Sequence, residues 1–105
     1  MIELVPPDVV EGENVLLLVR DLPEDHEAFA WYKGARNMNF GIVFYSLASN
    51  LTVTGPEYSG RETVYRNGSL RLQDVTQKDT EFYTLRSING QKKIISTTSI
   101  YLHVY

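Results

Sequence analysis

Asp79-Thr80-Glu81-Phe82-Tyr83-Thr84-Leu85 sets a tyrosine four residues after an aspartate and two before an aliphatic side chain. In two-sheet β-sandwiches a tyrosine near the start of the penultimate strand turns its hydroxyl back to the main chain upstream. It thereby locks the preceding corner, and it stands two residues before a core cysteine. Tyr83 has that place, and Leu85 stands where the cysteine would be. An acidic turn ahead of any amphipathic strand reads the same way, so the stretch needs partners elsewhere in the chain.

Those partners are present. Val15-Leu16-Leu17-Leu18-Val19 alternates with period two, placing Val15, Leu17 and Val19 on one face. It is too short for a helix, and Asp21-Leu22-Pro23 stops it. Phe29-Ala30-Trp31-Tyr32-Lys33-Gly34 follows, with the single tryptophan, Trp31, 12 residues after Val19. That spacing suits a core tryptophan packed beside the strand Val15–Val19. Further short strands are expected over Ile42–Tyr45, Leu51–Val53, Thr63–Tyr65, Leu70–Leu72, Thr84–Ile88 and Ile94–Val104. Pro6 and Pro7 confine the first β-like run to a sheet edge. Asn67-Gly68 and Asn89-Gly90 read as hairpin turns of type I′. About nine strands are expected, with no helix beyond a turn near Gln77 and no internal repeat. The expected fold is all-β: an immunoglobulin V-type two-sheet sandwich without the inter-sheet disulfide. Its expected core is Val15, Leu17, Val19, Phe29, Trp31, Leu70, Leu72, Val75, Tyr83, Leu85, Leu102 and Val104.

Composition fits one such domain over residues 1–105. The apolar fraction is 43% and the net charge −3, which disfavours nucleic acid as a partner. No apolar run approaches the ~20 residues of a membrane-spanning helix, and Met1 is followed at once by domain sequence. With no cysteine, thiolate zinc sites, disulfides and cysteine nucleophiles are excluded. A bridge in place of Val19 and Leu85 would close a loop of roughly 67 residues and contribute about 4.4 kcal/mol in the chain-entropy model. Two buried aliphatic side chains contribute about 1.5–3 kcal/mol each. The exchange is close to balanced.

Variable-type sandwiches pair an aspartate four residues before the corner tyrosine with an arginine near the start of an earlier strand. Here that pair is Asp79 with Arg61, in Ser59-Gly60-Arg61-Glu62-Thr63. Together with Val5-Pro6-Pro7, Glu11-Gly12-Glu13-Asn14-Val15, Trp31-Tyr32-Lys33-Gly34, Asn67-Gly68-Ser69-Leu70 and His103-Val104-Tyr105, these residues resemble the N-terminal variable-type domain of the carcinoembryonic antigen family. The match covers nearly the whole chain, and a cysteine-free core is itself a mark of these domains. Within the family, Ser46–Thr52 and Ser96–Tyr105 look more like the secreted pregnancy-specific glycoproteins than the membrane-anchored adhesion molecules.

The resemblance implies an N-terminal domain of a larger, secreted or cell-surface glycoprotein. It would recognise partners through the sheet whose strands the family names A′, G, F, C, C′ and C″. Tyr32 and Ile88 match family residues on that face. Glu27 replaces a phenylalanine, Asn37 a valine, and Gly41 and Arg86 glutamines, which weakens the case for homophilic adhesion. Where some secreted members carry Arg-Gly-Asp, this chain has Asn89-Gly90-Gln91, with no carboxylate for an integrin metal site.

Parity supports the same face. With Trp31, Tyr83 and Leu85 inward, Ala30, Tyr32, Thr84, Arg86 and Ile88 point outward, joined by Ile95, Thr97, Ser99 and Tyr101. Exposed Tyr, Ile and Arg are side chains that interfaces favour. The expected partner-binding residues are Tyr32, Arg86, Ile88, Asn89, Gly90, Gln91, Lys92 and Ile95. Arg86, Lys92 and Lys93, with Lys33 and Arg36, could contact a sulfated glycan or an acidic protein, although a solvated hairpin tip is the stronger reading. No catalytic constellation, metal set or cofactor motif is read: His26 lies in a charged loop, His103 on an outward position, and Glu24, Asp25 and Glu27 in a solvated acidic loop. Asn50-Leu51-Thr52 and Asn67-Gly68-Ser69 are glycosylation sequons, against about 0.9 expected by chance. The expected partner is a protein receptor on a cell surface or a matrix component, met by a monomeric extracellular domain. A homophilic adhesion domain and a structural spacer are the alternatives.

Overall fold

The computed structural model describes residues 1–34 and 40–105, and among these it contains nine strands in two sheets. One sheet runs β1 (Ile2–Val5), β2 (Val15–Val19), β7 (Leu70–Leu72), β6 (Glu62–Val64). The other runs β5 (Leu51–Thr54), β4 (Gly41–Ser46), β3 (Ala28–Lys33), β8 (Glu81–Ile88), β9 (Ile94–Leu102). Every pairing within the sheets is antiparallel. β1 lies on a sheet edge, as Pro6 and Pro7 require. Beyond them the chain crosses to the other sheet, where Val9 bridges Val104 in parallel. Departures towards helix are of the 3-10 kind, as in the turn over Gln77–Asp79.

Burial follows the period-two pattern. β2 reads buried at Val15, Leu17 and Val19 and half-buried between them. Every residue expected in the core is buried, and Ile2, Val9, Ile42, Val43 and Tyr45 join them. Tyr45 enters because it pairs with Phe29 across β3–β4, the two rings stacking at 5.2 Å. Val19 and Leu85 are both buried and aliphatic where a bridge would otherwise stand. Trp31 is fully buried, and its indole Nε1–H donates to the Gly68 carbonyl at 2.8 Å. A buried indole needs such an acceptor.

The corner has the geometry the opening stretch demands. Tyr83 Oη donates to the Asp79 carbonyl at 2.8 Å. Asp79 is only 3% exposed, yet its carboxylate accepts Arg61 Nη1 and Nη2 at 2.9 Å each and the Thr76 N–H at 2.8 Å. Arg61 Nη1 also donates to the carbonyls of Gln73 and Asp74. Burial alone would raise the Asp79 carboxyl. The Arg61 hydrogen bonds, the Thr76 N–H and the arginine charge outweigh it and hold the group below its ordinary range. Burial, reinforced by the Asp79 charge, pushes the Tyr83 phenol well above its ordinary value.

The two Asn-Gly turns depart from expectation. Type I′ needs positive φ at both central residues. At the β6–β7 hairpin only Gly68 has it, at 95°, and Gly68 N–H closes the turn to the Tyr65 carbonyl at 2.9 Å. At the β8–β9 hairpin the positive φ falls on Lys92, at 62°, and not on Asn89 or Gly90. The physical reason is the asparagine side chain. Asn67 Oδ1 accepts the Ser69 N–H, and Asn89 Oδ1 accepts those of Gln91 and Lys93. Each asparagine shapes its loop as an acceptor, which lengthens the loop. One strand limit shifts: β6 starts and ends one residue earlier than expected, whereas β8 begins at Glu81, inside the stretch read as its start.

Two outcomes follow for stability. Arg61→Ala leaves a buried carboxylate with one backbone donor and should cost about 3 kcal/mol, a fall of roughly 12–20 °C in Tm. Because the Asp79 value is lowered on folding, its contribution is fully present above the ordinary carboxylate range, about pH 4, and is lost as pH falls through the native value. Thermal melts from pH 7 to pH 2 should therefore show an acid limb that is shallower in Asp79→Asn; an unchanged Tm in Arg61→Ala removes the pair from this account. Gly68→Ala sets a Cβ 2.8 Å from Leu22 Cδ1 at a backbone angle side chains avoid. It should cost about 1–3 kcal/mol and change the Trp31 fluorescence, since the carbonyl that moves is the indole's acceptor.

Candidate functional site

The outward surface of the five-stranded sheet is set by register. Ala28, Ala30 and Tyr32 of β3 lie opposite Ile88, Arg86 and Thr84 of β8, which in turn face Ile94, Thr97 and Ser99 of β9. On the other side Ala28 and Ala30 face Ser46 and Phe44 of β4, and Phe44 faces Val53 of β5. The structure thus brings Tyr32, Arg86 and Ile88 together on one face, as expected. Ala30 and Thr84 share that parity, but neighbours cover them. Thr84 Oγ1 donates to the Gly34 carbonyl at 2.7 Å and lies 2.8 Å from Ser99 Oγ, tying β8 to both of its neighbours.

Arg86 crosses the face and lays its guanidinium over the Tyr32 ring, 5.2 Å from the centroid. Its Nε is buried and has no hydrogen-bond partner among the described residues. Two depressions among the described residues lie on the same face and meet at Phe44. One, of about 330 Å³, lies beyond Ile88 and is lined by Ala28, Phe44, Ile88, Gly90 and Lys92, with Glu27 at its wall. The other, of about 110 Å³, is formed by Ala30, Tyr32, Gly41, Phe44 and Val53. The Glu27 carboxylate lies against Gly90, where an added Cβ would come within 3.0–3.1 Å of it. Asn89, Gly90, Gln91 and Lys92 form the hairpin tip beside the larger depression, and Lys92 and Lys93 are exposed.

Phe44, Val53 and Ile94 are exposed on this face and were absent from the expected set. Applying to β4 the parity used for β8 would have found Phe44, because an inward Tyr45 forces its neighbour outward. Ile94 needed the structure. A bulge at Ser87/Ile88 puts Ile94, not Ile95, opposite Ile88, leaving Ile95 half-buried. Arg36 and Asn37, expected at the rim, lie outside the described residues.

The sequons sit elsewhere. Asn50 is in the β4–β5 turn, exposed, with its Oδ1 accepting from Tyr45 Oη. Asn67 is exposed on the other sheet's hairpin, at the rim of a cleft with Leu16, Leu18 and Tyr65. Ser69, the third residue of that sequon, is 2% exposed and accepts the Val19 N–H through its Oγ. His26 Nδ1 contacts the Pro23 carbonyl, and His103 lies exposed between Tyr101 and Tyr105. Among the described residues no group of three or more His, Cys, Asp or Glu is placed to hold a metal, and no helix is long and apolar enough to cross a membrane.

Two antiparallel sheets, an Asp–Arg-locked tyrosine corner and an open face with aromatic, aliphatic and cationic side chains define a V-type recognition domain. Residues 5–105 match the immunoglobulin V-set domain, and the chain belongs to that family, whose members are recognition domains and not enzymes. Within it the chain resembles the carcinoembryonic antigen branch. It is 56% identical over 103 residues to mouse pregnancy-specific glycoprotein 22, covering 98% of this chain and 22% of the relative. It is 53% identical over 104 residues to the mouse cell adhesion molecule CEACAM5, covering 99% of this chain and 11% of the relative. Among solved structures, murine CEACAM1b superposes with a TM-score of 0.94 at 48% identity, over all of this chain and 53% of that one. A murine receptor in complex with the mouse coronavirus receptor-binding domain gives 0.92 at 43%, again over all of this chain and 53% of that one. The chain spans less than a quarter of the length of the mouse pregnancy-specific glycoprotein 22 and CEACAM5 sequences it matches.

Proposed function

We propose that this domain is an extracellular protein-recognition module, the N-terminal domain of a larger secreted glycoprotein of the pregnancy-specific type. It binds a cell-surface receptor or matrix component through the outward face of the β5-β4-β3-β8-β9 sheet, and so modulates adhesion or immune signalling. The observation that carries this is the composition of that face: Phe44, Val53 and Ile94 are exposed and Tyr32 and Ile88 half-buried on the outward side of one sheet. Large apolar side chains grouped on one face of a small domain mark an interaction surface. The similarity to a solved murine receptor engaged by a viral domain supports the same reading. A glycan on Asn67 would stand on the opposite sheet and leave this face open.

The test is binding of the soluble domain to cells. Tyr32→Ala or Phe44→Ala should weaken it by about 2 kcal/mol, roughly 30-fold, where the residue is a hot spot, with little change in Tm. Arg71→Ala and Gln73→Ala, on the opposite sheet, should leave it unchanged. The reverse pattern would place the site on the β1-β2-β7-β6 sheet.

Homophilic adhesion is the second reading, favoured by the 53% identity to a cell adhesion molecule. Glu27 and Arg86 put charge where a self-complementary face would need apolar contacts. Sedimentation of the isolated domain at tens of micromolar should give a monomer; a well-populated dimer abolished by Tyr32→Ala and Ile88→Ala would restore the adhesion reading.

A further inference from the structure

Arg86 is the one charged side chain among the described outward rows of the five strands. Its neighbours across the ladders, Ala30 and Thr97, make no hydrogen bond to it. It is half-buried and held against the Tyr32 ring, and its Nε is buried without an acceptor among the described residues. In the free domain water serves the rest of the guanidinium. Any partner that covers the face removes that water, and a desolvated cation without an anion is strongly unfavourable.

We infer that the partner of this face is a protein that presents an aspartate or glutamate carboxylate to Arg86, flanked by apolar side chains that fill the two depressions. The inference rests on the face proposed above and adds the chemistry of its ligand. A planar guanidinium fixed by an aromatic ring is pre-organised for a two-point bond to a carboxylate. The two depressions of this face are mainly apolar in their exposed lining, with Glu27 and Lys92 at the wall of the larger, and ask for hydrocarbon, which a polysulfated chain does not offer. Such a chain would also need a row of cations, whereas Lys33, Lys92 and Lys93 lie at the ends of the strands and not along the outward rows. The same lone charge disfavours a twofold pairing of this face with itself about Arg86, since two guanidinium groups would meet.

The probe is a random peptide library displayed on phage and panned on the intact domain. Clones are retained if they lose binding to Tyr32→Ala or Phe44→Ala, which restricts them to this face. The expected result is that each carries an Asp or Glu whose change to Asn or Gln weakens binding at least about tenfold. Arg86→Gln should weaken the same clones equally, the two losses should not add, and Arg86→Lys should recover only part. An unchanged melt of Arg86→Gln establishes that the fold is intact. Face-specific clones that lack an acidic residue, or are indifferent to Arg86→Gln, overturn the inference while leaving the face standing. Retention of heparin by the domain that is lost in Arg86→Gln overturns it in favour of a polyanion. If no clone responds to Tyr32 or Phe44, the face itself is wrong and the inference falls with it.

Discussion

The bidentate contact between Arg61 and Asp79 is the constraint on which the rest of the molecule depends. It places a carboxylate inside the sandwich, at the point where the chain passes from β7 of one sheet to β8 of the other. Four donors converge there: two guanidinium N–H groups and the Thr76 N–H on the carboxylate, and the Tyr83 hydroxyl on the Asp79 carbonyl. Together they fix where β8 starts and which of its residues turn inward. That phase is passed by register to β3 and β9, and through β3 to β4 and β5. A one-residue slip would reverse every side chain on the sheet. With no disulfide between the sheets, the corner and the hydrocarbon packed around Trp31 carry this duty.

The face proposed for recognition occupies the positions this arrangement leaves free. Trp31 and Leu85 are paired in the core, and the adjacent positions Ala30 and Arg86 are paired on the outside. The domain can therefore change its outward residues without disturbing the corner. Arg86, where the family resemblance leads one to expect glutamine, is such a change. It sets a cation held against the Tyr32 ring among the described outward rows, a change that bears on partner choice and not on whether the chain folds.

Much of the fold was legible in the sequence because its determinants are local or periodic. Tyr83 and Asp79 lie four residues apart, β2 alternates without a break, and Trp31 is unique. What escaped depended on relations between strands. The Asn-Gly dipeptides read as tight turns, but Gly68 also supplies the acceptor for Trp31 and the Asn89 side chain caps Gln91 and Lys93 of its own loop, which the dipeptide alone does not reveal. The site was half legible. Tyr32, Arg86 and Ile88 followed from parity on the strands that contain the core markers. Phe44 and Val53 lie on strands without such a marker, and Ile94 depends on a bulge that shifts register by one residue.

The central claim is that recognition uses the outward rows of β3, β4, β8 and β9 while the other sheet does not take part. Oxidative footprinting of side chains tests it directly, with the domain free and then bound to receptor-bearing cells. Tyr32, Phe44 and Ile88 should become protected, and Leu16, Leu18 and Tyr65, around the cleft on the opposite sheet, should react as before. Protection confined to Leu16, Leu18 and Tyr65 would contradict the account.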